Sequence, residues 1–435
     1  MEDSAYRFGE FSILPAQRAL LRGAKSLPLP PKAFDALHLL VRNHGGLVSR
    51  DEISRTLWPG IHVTDANLTN IIVQLRKLLG RDAVQTVSKF GYRFTLPVTG
   101  EPGVKQASYA SFLRAKELIT ERSLESIQRA RELFFVCVAN DPEFATGWAW
   151  LGRTCRVLEK FKGGEPGEPN LARAAFNRAF ALDPDLACAH HFYTQLQVDA
   201  GQASQAMTRL ASRLKHHGED PETWAGLVQV LRSCGLLAES VKAHERAVAI
   251  DPPFRTSVAH TYFLQCDYTN VFEHYVGKGF YLDAAAWAGL GQIDRAINLL
   301  RTRIGNPDLG PFMTDMMGSL LAVLEGKNDE AVAIIKTVEV VREPEAIFYL
   351  ARNSGMVNDT ELTIHMIRRA RLGGLWSSQT LELDSAFAGL RQAPEFIQEV
   401  REAKKLEDES RLALQQILGE SWQTKPYSPI AASVS

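Results

Sequence analysis

Residues 65–96 read DANLTNIIVQLRKLLGRDAVQTVSKFGYRFTL. Leu68, Ile72, Leu75 and Leu79 recur at the spacing that lines up one face of an α-helix. Asp65, or Thr64 before it, is of the type that caps a helix start. Beyond Gly80 the pattern changes to short alternating runs about SKFG, which predicts a two-stranded hairpin with Lys89 at its tip. A helix with one apolar and one polar face, followed by a basic hairpin, suits DNA. The helix fits a major groove and the hairpin reaches the groove beside it.

Upstream, 6–29 breaks into short apolar and alternating pieces between Pro, Gly and charge, which predicts several short strands. Pro30-Pro31 stops that sheet, and Pro31 suits the first turn of a helix. In KAFDALHLLVRN, Phe34, Leu37, Leu40 and Val41 share one helical face, and Gly45-Gly46 ends the run. Ser49-Arg50-Asp51-Glu52 is an S-x-x-E capping box. It opens a second helix through Ile53 and Leu57, broken at Trp58-Pro59-Gly60. Strands, three helices and a hairpin predict an α+β winged helix domain over 1–97.

Four pieces, LPLPPKAFDALHLL, GGLVSRDEISRTLWP, LRKLLG and VSKFGYRF, follow in this order over about residues 6–97. Together they resemble the OmpR/PhoB-type transcriptional regulatory domain. The resemblance implies double-stranded DNA as the partner, bound as tandem copies on direct repeats, a homodimer on DNA. Asn67, Asn70, Val73, Gln74 and Lys77 lie opposite the apolar stripe. Asn or Gln can make paired bonds to adenine, and an apolar side chain can touch a thymine methyl. Arg76, Lys77 and Arg81 are placed to meet phosphates, which set register and make binding salt-dependent. For the wing, the resemblance implies Lys89 as the minor-groove residue, with Ser88 and Arg93 near it, and Tyr92 as the family's wing tyrosine. The loop 58–64, with Trp58, Gly60 and His62, is where relatives can contact RNA polymerase. The outer face departs from many relatives, which carry Arg or His where this chain has Ile71, Val73 and Gln74. With the domain starting near residue 6 and no receiver before it, control by aspartyl phosphorylation is not expected.

Length and charge agree with a DNA-binding module joined to something else. At 435 residues the chain predicts several domains or a repeat array. Residues 1–100 hold 13 Lys and Arg against 8 Asp and Glu, a net +5, while the rest of the chain is net −6. No apolar run approaches the ~18 residues of a membrane span, and no signal peptide is visible. The five scattered cysteines, with no C-x-x-C pair, suit reduced thiols in a cytoplasmic protein.

Pro97 to Ser108 is rich in Pro, Gly and small residues, so 98–108 reads as a linker. Beyond it Asp-Pro recurs at 141, 183, 220 and 251. Trp148, Leu151-Gly152, Ala172, Phe176, Ala179 and Pro184 resemble the landmarks of a tetratricopeptide repeat, with FKGGEPGEPN as an enlarged loop between its helices. Later units are marked by Trp224 and Ala247, Gly291 and Ala296, and Gly326 and Ala331. We count about seven degenerate repeats over 109–372, with 255–280 irregular. A helical cap over 373–422 and a flexible tail over 423–435 follow. The fold class is therefore multi-domain and mainly α: a winged helix domain, then an α-helical superhelix.

Such repeats bind a protein or peptide partner. Asn177, Arg178, Arg209, Arg213, His244 and Arg246 fall on second helices, where a solvated outer face is the default. His190-His191 and His216-His217 lack a Cys or carboxylate at ligand spacing, so no metal is expected. GKGF and GLGQ follow no strand and are not phosphate loops; no cofactor and no catalytic constellation is expected. The expected function is a DNA-binding transcriptional regulator whose repeats act as sensor or interaction module. The alternative is an interaction scaffold whose winged helix no longer binds DNA specifically.

Overall fold

The computed structural model describes residues 6–419 apart from 15–17, 23–24, 44, 59–64, 89, 97, 100–105, 122, 163–168, 218–219, 253, 276–280, 307–308 and 339–341. The chain opens with an antiparallel meander of β1 (Tyr6–Phe8), β2 (Phe11–Leu14), β3 (Ala19–Arg22) and β4 (Lys25–Leu27). Then come α1 (Pro31–Arg42), β5 (Leu47–Ser49), α2 (Arg50–Leu57) and α3 (Asp65–Leu79). The wing is β6 (Val84–Val87) and β7 (Gly91–Phe94), and β8 (Val98–Thr99) closes the unit. Local chemistry sets the boundaries as the sequence predicts. Pro31 occupies the first turn of α1, and the Ser49 hydroxyl accepts from the Glu52 amide to cap α2.

Two strands are additions to the sequence reading. β5 pairs with β7, so the wing is one part of a three-stranded sheet ordered β5-β7-β6 rather than a lone hairpin. Three residues ahead of a helix cap show no period, which hid this strand. Gly91 permits the pairing: a Cβ there would lie 2.0 Å from the Val48 carbonyl oxygen. β8 pairs with β1 and carries the first sheet to Thr99, inside the stretch read as linker, and α4 (Gln106–Glu121) starts three residues before 109. Phe8, Leu37, Leu40, Ile53, Leu68, Leu75 and Phe94 meet in one core, with the Phe8 and Phe94 rings edge to face at 5.0 Å.

From α4 to α19 (Thr360–Leu372) the described residues form eight successive helix pairs, one more than the sequence count. Ala172, Ala179, Ala206, Ala247, Ala296 and Ala331 are buried where helices approach closely. The irregular stretch at 255–280 holds two seven-residue helices, α12 (Val258–Leu264) and α13 (Tyr268–His274). The array does not stay open. Arg232 of α10 (Pro221–Ser233) reaches Glu345 at the start of α18 (Pro344–Met356), 2.9 Å away and 113 residues on. The Thr380 hydroxyl donates to the Leu264 carbonyl at 2.7 Å, and the Trp376 amide to the Ser233 carbonyl at 3.0 Å. The long α21 (Pro394–Leu418) runs back to α9 (Ala203–Leu214), and Glu407 accepts both amide and hydroxyl of Ser378 at 2.6 Å. Segment 373–418 is thus a clasp across the repeats as well as a cap on the last one. No helix among the described residues is long and apolar enough to cross a membrane.

The clasp includes a fully buried ion pair, Arg352 Nε to Asp384 Oδ2 at 2.6 Å. Asp384→Ala leaves that guanidinium buried without its anion and is expected to cost about 3–5 kcal/mol in denaturant unfolding. Arg114→Ala, which removes an exposed pair with Glu117, should cost under about 1 kcal/mol. Burial also pushes His190 and His244 down to about 4. Unfolded histidine takes up its proton near 6.5 while the folded rings stay neutral. Stability is therefore expected to fall as pH drops from about 6.5 towards 4, as a declining denaturant midpoint, and His244→Gln should lessen that decline.

Candidate nucleic-acid interface

The apolar stripe of α3 is buried as its spacing predicts: Leu68, Ile72, Leu75 and Leu79 all enter the core. Ile71 joins them, so it does not belong to the outer face. That face carries Asn67, Asn70, Val73, Gln74 and Lys77, all exposed, with Val73 54% accessible. It is a polar strip with one methyl-bearing side chain in its middle, a set of groups able to meet base edges.

Arg76 is placed differently from the sequence expectation. Its Nε donates to the Val84 carbonyl at 2.8 Å and its Nη2 to the Thr86 hydroxyl at 2.7 Å. It clamps α3 to the wing sheet and does not stand among the outward cations. Lys77 and Arg81 remain exposed near the end of the helix.

In the wing, Ser88 is exposed and Lys89 lies outside the described residues. Tyr92 is only 2% accessible, so it is a core residue and not a surface contact. The Arg50 guanidinium lies over its ring, 5.2 Å from the centroid, a neighbour the sequence did not reveal. Arg93 sits beside Leu47 and Gln85 in the strand register and forms an ion pair with Asp251, far along the chain in the repeats. Gln85 and Thr86 are exposed between buried Val84 and Val87, a pattern legible in VQTV. Trp58 caps the end of α2 and packs half-buried against the domain core, while Gly60 and His62 lie outside the described residues.

Polar residues singled out in the repeats mostly staple neighbouring helices. Arg178 bonds Glu143 at 2.5 Å, and Arg213 bonds Thr223 at 3.0 Å. Arg209 bonds His190 at 2.7 Å, and His244 bonds Thr256 at 2.8 Å. Asn177 is exposed and Arg246 half-buried. His191 pairs with Glu222 at 2.5 Å.

The array forms a partly open cavity of about 590 Å³, lined among others by Arg153, Arg255, His260, His274, Tyr281 and Tyr349. Several of its ionic groups already have partners. Arg156 is held by both Asp199 oxygens at 2.5 and 3.0 Å, and Glu345 by Arg232 and the Tyr349 hydroxyl. The lining comes from positions between 119 and 349, which is why no local spacing betrayed it.

A strand meander, three helices and a wing sheet define a winged helix domain of the transcriptional regulatory class. The family model described as transcriptional regulatory protein, C terminal, matches residues 24–94, and the tetratricopeptide repeat model matches 165–231. The chain is 31% identical over 102 residues to the transcriptional regulator HilA of Salmonella typhimurium, covering 22% of this chain and 18% of HilA. It is 32% identical over 104 residues to the transcriptional activator CadC of Escherichia coli, covering 22% of this chain and 20% of CadC. The solved DNA-binding domain of E. coli CadC is 30% identical, spans 22% of this chain and 97% of that one, and superposes with a TM-score of 0.21. The matches thus span about a fifth of the length of these curated relatives. The first domain is of the OmpR/PhoB type, and tetratricopeptide repeats follow it.

The clamp by Arg76 has a measurable consequence. Arg76→Ala should lower the stability of the domain by about 2 kcal/mol, because two charged-donor bonds are lost. Lys77→Ala should change it by less than about 0.5 kcal/mol. Thermal unfolding of the two variants separates these roles.

Proposed function

We propose that this protein is a cytoplasmic DNA-binding transcriptional regulator whose winged helix reads promoter DNA. Its tetratricopeptide array then serves as sensor or interaction module. The observation that carries the reading is the exposed polar face of α3, held outward by a stripe of buried leucines and isoleucines. Asn67, Asn70 and Gln74 are assigned to base edges, Val73 to a thymine methyl, and Lys77 and Arg81 to phosphates. Lys89, by its place in the sequence, is assigned to the minor groove, with Ser88 beside it. Tandem copies on direct repeats and a polymerase contact through the loop at 58–64 complete the proposal. The array's cavity, lined by aromatic, cationic and carboxylate side chains, is where a small ligand or peptide end would be sensed. No catalytic role is proposed.

A second reading has its own support. The outer face of α3 is short of arginine, Arg76 is spent on the wing, and Arg93 is engaged by Asp251. A scaffold that has lost specific DNA binding would look this way. Titration of the full chain with a labelled duplex between ~50 and ~200 mM salt discriminates the two. A regulator binds at the low end, with log affinity falling linearly in log salt. No measurable binding at ~50 mM salt favours the scaffold. On a bound site, Lys77→Ala should weaken all sequences alike and Gln74→Ala should alter base preference. Equal loss on every sequence for Gln74→Ala would remove it from base reading.

A further inference from the structure

Arg93 lies on β7, side by side with Leu47 of β5 and Gln85 of β6 across the wing sheet. Its neighbours Tyr92 and Phe94 are buried, so Arg93 projects from the opposite face of that sheet. That face is not free. Leu47 and Phe90 pack against the hydrophobic core of the repeats, and the Arg93 Nη2 pairs with the Asp251 carboxylate. Asp251 directly follows α11 (Leu237–Ile250) and opens the connection to α12. Both side chains are largely covered, at 14% and 17% accessible.

The Arg93 Nε and Nη2 and the Asp251 Oδ1 are covered and make no hydrogen bond to any other group among the described residues. A DNA phosphate offers the same guanidinium a pair of oxygens that would compete with the carboxylate for it. The array's acidic balance and the wing domain's basic one favour the docked state in the same way that they would favour DNA.

We propose that the wing sheet is docked on the repeat array in competition with DNA, so that the array restrains the winged helix in cis. This rests on the reading that the domain binds DNA. One guanidinium fork cannot serve both the Asp251 carboxylate and a phosphate, and a duplex cannot lie against the wing face that Leu47 and Phe90 hold on the array. The outer face of α3 remains exposed throughout, so the restraint falls on the wing and lowers affinity without hiding the reading helix. The docking segment is also tied to the cavity. Arg255, Thr256 and Ser257 line it, and Arg232 bonds Ser257 while holding Glu345 on the far wall.

The test compares full-length wild type, Asp251→Asn and Asp251→Glu. Duplex affinity is measured at low salt, and hydrogen exchange of segments 90–94 and 248–257 is measured without DNA. Asp251→Asn should bind the duplex three- to tenfold more tightly and exchange faster in both segments, and Asp251→Glu should behave as wild type. Unchanged exchange in Asp251→Asn would overturn the dock. Faster exchange with unchanged affinity would overturn the competition. If no variant binds duplex, the competition falls together with the DNA-binding reading. Faster exchange in that case would locate the failure in DNA recognition and not in the dock.

Discussion

Helix α3 can offer a face to DNA only because its remaining surface is locked. Leu68, Ile71, Ile72, Leu75 and Leu79 fill the core beneath it, and Arg76 fastens its last turns to β6. The leucine and isoleucine burial supplies several kcal/mol of the domain's stability. The Arg76 bonds then fix how helix and wing sit relative to each other. Gly91 does the same for the wing, since the close pairing of β7 with β5 leaves no room for a side chain there.

The array follows another logic. A tetratricopeptide superhelix ordinarily relies on contacts between successive repeats. Here contacts that help close it join separate parts of the chain: Arg232 with Glu345, Thr380 with Leu264, Arg352 with Asp384. All are polar or ionic, and all lie among large apolar side chains. Such links are directional, so they select one curvature where apolar packing alone would tolerate several. The cavity is the space left inside that curvature.

The sequence was most readable where periodicity and side-chain chemistry pointed the same way. The buried stripe of α3, Pro31 in the first turn of α1 and the Ser49 cap all follow from local patterns. β5 did not, because Leu47–Ser49 is too short for a period and its partner strand lies more than forty residues on. Tyr92 and Arg76 show a second limit. The resemblance placed Tyr92 in the wing and residue type placed Arg76 towards phosphates, but burial of the ring and the reach of the guanidinium to Val84 depend on the tertiary arrangement. Arg93 shows a third, since its partner belongs to another part of the chain altogether. Eight helix pairs emerged against about seven expected because degenerate repeats lose their landmark residues before they lose their helices.

If the outer face of α3 reads bases, duplexes selected by the full chain from a random-sequence pool should share a short enriched motif. That motif should repeat in the same orientation about one helical turn apart, with A·T pairs where Asn70 and Gln74 would reach adenine. A pool that stays random after selection, although duplex is bound, would mean that the helix contacts only the backbone and reads no bases.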